Sequence, residues 1–469
     1  MKKIVIIGGG LGGLTSGALL AKKGYSVTLL EQHNIVGGCA TTFKRKGGFT
    51  CEAGLHEMDG VFSDSTIKQI FDILDIYKNI EFIQPNEFFK INSKFGEFTM
   101  PHGVENSKNV LKERFPTEIQ TIDKYFEIIF SISDCFDKLS NLKWYHYIFF
   151  PFLFFPILKY KNKSVTEVLD NLTQNEELKL ILNANVQYYN DTPDTLSFLL
   201  HAVAQSSYYK GGGYFIKGGS YKLSEYLANI ITHNGGNVIT KAIVIKASKK
   251  EVTYSVKNEN ITLDADIIIS NISPLDTYKL FDITYKETKQ IAESITTIYL
   301  GFSKNLKEFY EKGAYSNFII TDEKPFVFVD YSQIDAGLVE NSKSFGEICL
   351  IDTLENWDKF NEEDYKKQKE LFLETYLDKL EMYYPKIREI IEFAEVATPK
   401  TMVRYIKTPN GTAYGYKPSP KQFFRMPKIK SDTIDNLYFT GQFVIAGGFS
   451  PAIMSGFMCY ERILRQKDT

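Results

Sequence analysis

The sequence predicts the α/β fold class, with a Rossmann-type parallel sheet assembled from non-contiguous segments of the chain. Three observations carry this prediction: a buried-strand pattern at residues 4–7, a glycine-rich turn directly after it, and a helix and second strand that complete a βαβ unit. The 469 residues exceed what one hydrophobic core usually supports, so we expect further lobes beside the sheet.

The first strand and its turn are specified by neighbouring residues. Residues 4–7 are a continuous apolar run, the pattern of a central parallel strand that is buried on both faces. Gly8, Gly10 and Gly13 follow as G-x-G-x-x-G, in which the glycines allow a tight turn, a phosphate close to the backbone, and close packing of helix on strand. The amino terminus of the helix, where Leu11 and Gly12 lie, offers free N–H groups to an anion.

The rest of the βαβ unit follows in register. A helix is predicted at residues 12–23 and ends at Gly24, and residues 25–30 predict the second strand. Glu31 and Gln32 come next, with Glu31 at 18 residues after the third glycine, where a carboxylate can accept hydrogen bonds from both ribose hydroxyls. Together these features predict a dinucleotide site.

A second glycine pair follows the acidic residue, in the stretch "VGGCA" that contains Gly38, Cys39 and Ala40. This spacing resembles flavoproteins of the amine oxidase and phytoene desaturase superfamily. The resemblance implies that the pair approaches the phosphates of FAD, with Cys39 where relatives usually carry Arg or Ser. Cys39 fits either a small buried residue or a chemical role, and no His or Lys neighbour is evident that would make it a thiolate.

Later stretches carry the same resemblance. Residues 214–247 match the family's glycine turn, helix and hairpin, which implies a backbone contact from Val244 to the adenine, and residues 264–281 match the strand that returns to the flavin domain. The stretch "NLYFTGQFVIAGGFSPAIMSGF" is similar to the carboxy-terminal FAD motif, which implies cofactor contacts from Gly441 and Gln442.

The end of that stretch also predicts a helix from its own residues. Ser450 suits the N-cap position and Pro451 the first helical position, with Ala452 next. If Gly441 places the chain along the pyrophosphate, this helix end can face the pyrimidine edge of the flavin, where its positive dipole end would stabilise the reduced ring. We therefore expect these three residues to contact the cofactor. An ordinarily capped helix with no flavin contact is the alternative.

The chain is identified as a member of the phytoene desaturase family, in the branch of carotenoid isomerases and retinol saturases, because "GLHEMDG" and "SGFMCYER" resemble those enzymes. The resemblance implies hydride transfer between FAD and a carbon–carbon double bond of a polyene or isoprenoid, with cis–trans isomerisation as the alternative. His56 and Glu57 are candidates for proton transfer, or else they satisfy nearby backbone groups. Flavin amine oxidases and non-enzymatic escort proteins for prenylated partners are further alternatives.

Amino-acid composition limits the kinds of binding partner and metal site that we expect. With 55 basic and 57 acidic residues, the chain gives no reason to expect nucleic acid. The five cysteines form no CxxC pair and the histidines lack ligand spacing, so no disulfide framework and no metal site are predicted. A reducing, cytoplasmic location fits this cysteine usage. Nothing in the sequence indicates an oligomeric state.

An apolar run at residues 147–158 is too short to span a bilayer and contains Pro151 and Pro156. Aromatic residues before it and lysines at 159, 161 and 163 after it favour peripheral contact with the inner face of the membrane, and a buried lid is the alternative. Both interpretations imply an apolar substrate.

The motif positions divide the chain into three parts. We expect residues 1–70, 211–285 and 430–469 to form the FAD-binding domain. Residues 71–210 are predicted as a helical, apolar substrate-entry region, and residues 286–429 as an α+β substrate lobe.

Overall fold

The computed structural model describes residues 2–140, 150–189, 191–310, 313–321, 324–340 and 342–465. The strands are, in chain order, β1 Lys3–Ile7, β2 Ser26–Leu30, β3 Thr42–Lys44, β4 Thr50–Glu52, β5 Met58–Asp59, β6 Phe82–Ile83, β7 Glu87–Ser93, β8 Gly96–Pro101, β9 Gly213–Ile216, β10 Asn237–Ile239, β11 Ile243–Ala247, β12 Glu251–Val256, β13 Glu259–Asp264, β14 Ile267–Ser270, β15 Ser294–Phe302, β16 Ser316–Ile319, β17 Phe326–Asp330, β18 Ser344–Asp352, β19 Ile391–Ala397 and β20 Leu437–Phe439.

The α-helices are, in chain order, α1 Leu11–Lys22, α2 Thr66–Ile73, α3 Val104–Arg114, α4 Ile119–Ser140, α5 Phe150–Leu153, α6 Phe155–Tyr160, α7 Val165–Leu172, α8 Glu176–Asn183, α9 Phe198–Gly211, α10 Tyr221–His233, α11 Pro274–Leu280, α12 Leu306–Phe309, α13 Glu355–Asp358, α14 Glu362–Glu381, α15 Pro399–Ile406 and α16 Phe449–Arg465. Short 3₁₀ turns lie at Ile76–Lys78, Ala184–Tyr189, Tyr331–Gln333, Ile387–Ile390, Pro409–Gly411 and Phe423–Arg425.

The predicted parallel sheet is present, in the strand order β10-β2-β1-β14-β20. Every pairing in it is parallel, and the residues of β1 from Ile4 to Ile7 are buried on both faces. Helices α1 and α10 cover one face, and the antiparallel strands β11 and β12 together with α11 cover the other. Its strands come from three distant parts of the chain. The predicted helix and second strand of the βαβ unit lie within a residue or two of their expected bounds.

A second, seven-stranded sheet has the order β19-β15-β18-β17-β16-β7-β8. Strands β7 and β8 come from the segment predicted as helical, so residues 71–210 and 286–429 share one sheet. Helix α14 covers one face of this sheet through Tyr376, Leu377 and Leu380. Alternate residues of the other face are left to line a cavity.

The rest of residues 71–210 is largely helical, from α2 to α9. Residues 141–149 of the predicted membrane-contact run lie outside the described residues, and the run continues as α5 and α6. Phe154, within that run, is only 1% exposed, whereas Phe152 is 84% and Phe155 58% exposed. Among the described residues no helix is long and apolar enough to cross a membrane.

Candidate active site

A single cavity of about 1320 Å³ joins the two sheets. One end lies just beyond the carboxyl ends of the parallel strands and is lined by glycines, among them Gly8, Gly10, Gly12, Gly38 and Gly441; we call it the glycine end. The other end lies on the open face of the seven-stranded sheet. Because ligands of open α/β sheets bind at the carboxyl edge of the strands, the glycine end is where a nucleotide is expected.

Van der Waals packing explains why glycines line this end. A Cβ on Gly10 would lie 2.6 Å from Nδ2 of Asn271, and a Cβ on Gly12 would lie 2.5 Å from the backbone nitrogen of Gly441. Helix α1 begins here without a side-chain cap and with no acidic residue in its first turn. Its amino terminus therefore faces the cavity with N–H groups and the positive end of the helix dipole.

Glu31 lies where the sequence predicts it, directly after β2 and 8% exposed. One carboxylate oxygen accepts a hydrogen bond from Gly9 N at 2.7 Å, and the other accepts one from His33 N at 2.7 Å. Each oxygen keeps a further acceptor position, so the carboxylate both fixes the glycine turn and can accept ribose hydroxyls.

Asn271 is a residue of this end that sequence reasoning missed. It follows β14, and its Oδ1 accepts hydrogen bonds from Gly13 N at 3.0 Å and from the Thr440 hydroxyl at 3.1 Å. A Cβ on Gly441 would lie 2.6 Å from the same oxygen. Asn271 thus ties α1 to the segment after β20. Its place directly after an apolar strand, "IIISN", is a signal that could have identified it.

The carboxy-terminal motif supplies the wall opposite α1. Gly441 has a φ of +87° and its N–H donates to the hydroxyl of Ser455 at 2.7 Å, while the Gln442 side-chain oxygen is buried with no partner. The prediction that Ser450 caps the last helix is wrong, because α16 already begins at Phe449. The Ser450 hydroxyl instead donates to the backbone oxygen of Asp59 at 3.0 Å.

The second glycine pair packs against the first. Gly37 N donates to the backbone oxygen of Gly9 at 2.7 Å, and Gly38 has a φ of +61°. Burial raises the pKa of the Cys39 thiol to about 12, so this side chain is a neutral thiol at physiological pH. Val244 on β11 lines the outer part of the cavity.

The structure brings nearly all of the predicted site residues into one cavity. The lining includes Gly8, Gly10, Leu11, Gly12, Glu31, Gln32, Gly38, Cys39, Ala40, His56, Glu57, Val244, Gly441, Gln442, Ser450, Pro451 and Ala452. Gly13 is not part of the lining. A Cβ there would lie 2.4 Å from the backbone oxygen of Gly8, which is the packing role that the third glycine was expected to play.

His56 and Glu57 lie at the other end of the cavity, beside the seven-stranded sheet; with Glu347 they form what we call the acid end. The backbone that presents them is held by three tyrosine hydroxyls from different elements. These hydroxyls donate to consecutive carbonyls, Tyr331 to Leu55 at 3.1 Å, Tyr315 to His56 at 2.7 Å and Tyr208 to Glu57 at 3.3 Å. These bonds hold the backbone from which the two side chains project.

The Glu57 carboxyl has one polar partner and one free oxygen. Its Oε1 accepts from the Ser316 hydroxyl at 3.2 Å, and Ser316 in turn accepts from the Tyr188 hydroxyl at 2.6 Å. Its Oε2 is buried without a partner. Burial raises the pKa of Glu57 to about 8, so at neutral pH it is mostly a neutral acid.

Glu347, on β18, is a second residue that sequence reasoning missed. Its Oε2 lies 3.4 Å from Nε2 of His56. Burial raises the pKa of Glu347 well above its usual range and lowers the pKa of His56 to about 4. The signal was a lone acid in the apolar strand "SFGEICLI", at a position that shares a face with Phe345 and Cys349.

Comparison with known proteins agrees with this architecture. Residues 6–74 match the NAD(P)-binding Rossmann-like domain. Along 98% of its length the chain is similar to all-trans-retinol 13,14-reductase of Danio rerio, at 27% identity and with 86% of that protein covered. Again along 98% of its length, it is similar to 4,4'-diaponeurosporene oxygenase of Staphylococcus aureus, at 26% identity and with 98% of that protein covered. Over nearly its whole length the chain therefore resembles a retinol reductase and a diaponeurosporene oxygenase, which supports an oxidoreductase that acts on a polyene or retinoid substrate.

The solved structure of putrescine oxidase superposes with a TM-score of 0.68, 14% identity and 99% of both chains covered. At that identity the likeness shows the fold alone, so it gives no support to an amine substrate. The glycine end fits a flavin or nucleotide cofactor, and the apolar sheet face fits an apolar small molecule. In the described part of the chain, no group of His, Cys, Asp and Glu is arranged to hold a metal ion.

Proposed function

We propose that this protein binds FAD non-covalently and transfers hydride between it and a carbon–carbon double bond of an isoprenoid polyene, as a saturase or desaturase. The observation that supports this is the single cavity, which runs from the glycine end to the apolar face of the second sheet. Its volume of about 1320 Å³ exceeds the roughly 300–1,000 Å³ of a pocket for one ligand, so a cofactor and a substrate can share it.

The residues present fit FAD. The uncapped start of α1 and the glycines around Asn271 leave room for a pyrophosphate, and Glu31 can accept the ribose hydroxyls. The free oxygen of Gln442 offers a hydrogen bond to a polar group of the cofactor. When bound, FAD supplies a ring that accepts or donates hydride.

The chain's own residues would orient the substrate and handle the proton. On the open face of the seven-stranded sheet, alternate residues such as Ile295, Thr297, Tyr299, Cys349 and Ala397 form a floor against which a polyene can lie. The floor excludes water from the reacting bond. His56 and Glu57 lie beside it as the titratable groups that can hold or release a proton.

The test has two readouts. Purified protein should carry flavin absorbance, and the released flavin should be FAD by chromatography. Anaerobically pre-reduced enzyme mixed with all-trans-retinol or 4,4'-diaponeurosporene should show flavin reoxidation together with a product two hydrogens heavier than the polyene. A geometric isomer of unchanged mass with the flavin still reduced would replace this proposal with isomerisation, and bound FAD with no reaction on either polyene would contradict the substrate class.

We also propose that the protein docks on the inner face of an anionic membrane through the exposed side chains of Phe152, Phe155 and Leu158, the aromatic patch. Three exposed lysines, at positions 159, 161 and 163, follow the patch and complement anionic headgroups. The patch is near the cavity. Leu153, next to the patch in sequence, accepts a hydrogen bond on its backbone oxygen from the Cys135 thiol of α4 at 3.2 Å, and the adjacent Phe136 lines the cavity. A lipid-dissolved polyene could then enter without crossing water.

Vesicle co-sedimentation tests this docking. Phe152→Ser with Phe155→Ser should weaken binding to vesicles containing phosphatidylglycerol by about tenfold or more, because each loses a large apolar contact. Leu371→Ser with Met382→Ser is the matched control, since these residues are 61% and 77% exposed elsewhere on the surface. Equal binding of the two double variants would overturn the membrane proposal.

A further inference from the structure

Glu347 lies on β18, an interior strand of the seven-stranded sheet. Strand β18 pairs it with Tyr299 of β15 on one side and with Val329 of β17 on the other. Residues paired in this way share a face of the sheet, so the Glu347 side chain belongs to the face that forms the cavity floor. Its residue is only 1% exposed.

The partners of this carboxyl are few. Its Oε2 lies 3.4 Å from His56 Nε2, and its Oε1 is buried without a hydrogen bond. The Tyr331 hydroxyl also interacts with the carboxyl and partly offsets the rise that burial causes in its pKa. Among the residues that the structure describes, no Lys or Arg forms an ion pair with it. The other titratable groups that face it are Cys51, Glu52, Tyr299, Tyr315, Tyr331 and Cys349.

A second glutamate on the same face of the sheet, Glu395, differs from Glu347 because an arginine neutralises its charge. Glu395 of β19 pairs with Tyr299 from the other side, so Glu347 and Glu395 flank one tyrosine. Arg45 donates to both oxygens of Glu395, at 2.5 and 2.9 Å, and holds the pKa of that carboxyl below its usual range. This face of the sheet can therefore hold an ionised carboxylate when a basic side chain neutralises it. At Glu347 the only basic partner among the described residues is the imidazole of His56.

The Glu347–His56 pair contains one transferable proton at neutral pH. Burial disfavours the charged form of both groups, which raises the pKa of Glu347 and lowers that of His56. A neutral acid beside a neutral imidazole and a carboxylate beside an imidazolium carry the same total number of protons. The His56 side chain is 16% exposed and that of Glu347 2%, so His56 is the member that faces the cavity.

We propose that the His56–Glu347 pair is the proton store of the active site, with His56 as the catalytic residue that meets the substrate and Glu347 as the positioning residue that keeps a proton on the pair. This inference rests on the proposed function. In saturation, one alkene carbon takes a hydride with its two electrons from the reduced flavin, and the other carbon takes the proton of the pair. The double bond becomes single, the flavin is oxidised, and the pair is left as carboxylate and neutral imidazole.

The experiment is a single turnover of pre-reduced holoenzyme with all-trans-retinol or 4,4'-diaponeurosporene. At pH 7, Glu347→Gln should slow flavin reoxidation by about 100-fold or more, the usual contribution of a general acid, with FAD still bound. Glu395→Gln is the matched control and should stay within about threefold of wild type, because its carboxylate is neutralised by Arg45.

The pH profile separates proton transfer from a merely structural effect. In Glu347→Gln the proton must come from His56 alone, so the rate should rise as pH falls toward about 4, the pKa of His56. Wild type should be fast at pH 7 and should slow as rising pH removes the proton of the pair. A Glu347→Gln rate equal to that of Glu395→Gln would overturn the inference.

Two controls keep this result distinct from others. If Glu347→Gln does not fold, His56→Asn should show the same loss of about 100-fold, and a rate within threefold of wild type would overturn the pair. If wild type itself does not react with either polyene, the proposed function fails before the pair is tested. If wild type reacts and the Glu347 and His56 variants react as fast, the proposed function stands and only the proton-store inference is overturned.

Discussion

The two ends of the cavity differ in whether backbone or side chains form them. The glycine end consists mainly of backbone, with glycines and helix starts that follow β1, β2, β14 and β20. The acid end consists of side chains, His56, Glu57 and Glu347, on elements that the chain connects only distantly. Backbone can be specified by short motifs, whereas a side-chain cluster depends on the register of a whole sheet.

This difference predicts how each end tolerates change. At the glycine end a single added methyl meets backbone atoms that cannot move, so binding should be lost outright. At the acid end an amide can replace a carboxyl with the same shape, so chemistry and pH dependence should change while the fold remains.

The largest effect is expected at Gly12. In Gly12→Ala the new Cβ would lie 2.5 Å from Gly441 N and 2.7 Å from Asn271 Oδ1, so the start of α1 must separate from the β20 segment. We expect loss of bound flavin, measured as the ratio of flavin to protein absorbance. Gly24→Asn is the control, because that glycine has a φ of +81° and open space around it. A Gly12→Ala protein with full flavin would contradict the backbone description of this end.

An intermediate effect is expected at Glu31. In Glu31→Gln the side-chain amide can accept from only one of the two N–H groups, Gly9 or His33, which leaves the other unpaired. An unsatisfied buried group costs about 1–3 kcal/mol, so FAD affinity should fall about 10- to 100-fold. Fluorescence titration of the apoprotein with FAD measures this. Unchanged affinity would show that the carboxylate is not needed to hold the glycine turn.

At the acid end, Glu57 should make stability depend on pH. Its folded pKa of about 8 is above the 4.5 of an ordinary glutamate, so between these pH values the folded state holds a proton that the unfolded state has lost. Stability should therefore decrease with rising pH, by about 1.4 kcal/mol per unit for this group. In Glu57→Gln denaturant unfolding should show a shallower decrease from pH 5 to 8. The same slope as wild type would mean that Glu57 ionises normally.

The smallest effect concerns two cysteines that line the cavity. Burial raises the pKa values of Cys39 at the glycine end and of Cys349 on the sheet to about 12, so neither is a thiolate at pH 7.5. Iodoacetamide should label them slowly in the folded protein and rapidly after denaturation, as mass spectrometry can follow. Rapid labelling of Cys39 in the native protein would indicate a thiolate and would support a chemical role for this residue.

The same contrast explains what the sequence could predict. The helix expected at residues 12–23 is observed at Leu11–Lys22, because its strand, turn and cap signals are all local. Strands β7 and β8 were assigned to a helical region; they form a local hairpin, but its place in the seven-stranded sheet depends on the pairing of β7 with β16, more than 200 positions away. Glu347 was missed for the same reason, since it meets His56 only after the seven-stranded sheet has formed.

The packing of α16 on α1 has a consequence for biosynthesis. A Cβ on Gly456 would lie 2.5 Å from the backbone oxygen of Gly12, so residues more than 400 positions apart are in direct contact beside the glycine end. The amino-terminal motif is translated long before α16 exists to complete its wall. A ribosome-bound chain that ends before β20 therefore displays the dinucleotide motif without a finished site. Loading of the cofactor should be a late event, and during translation the exposed apolar surface of α1 would depend on chaperones for protection.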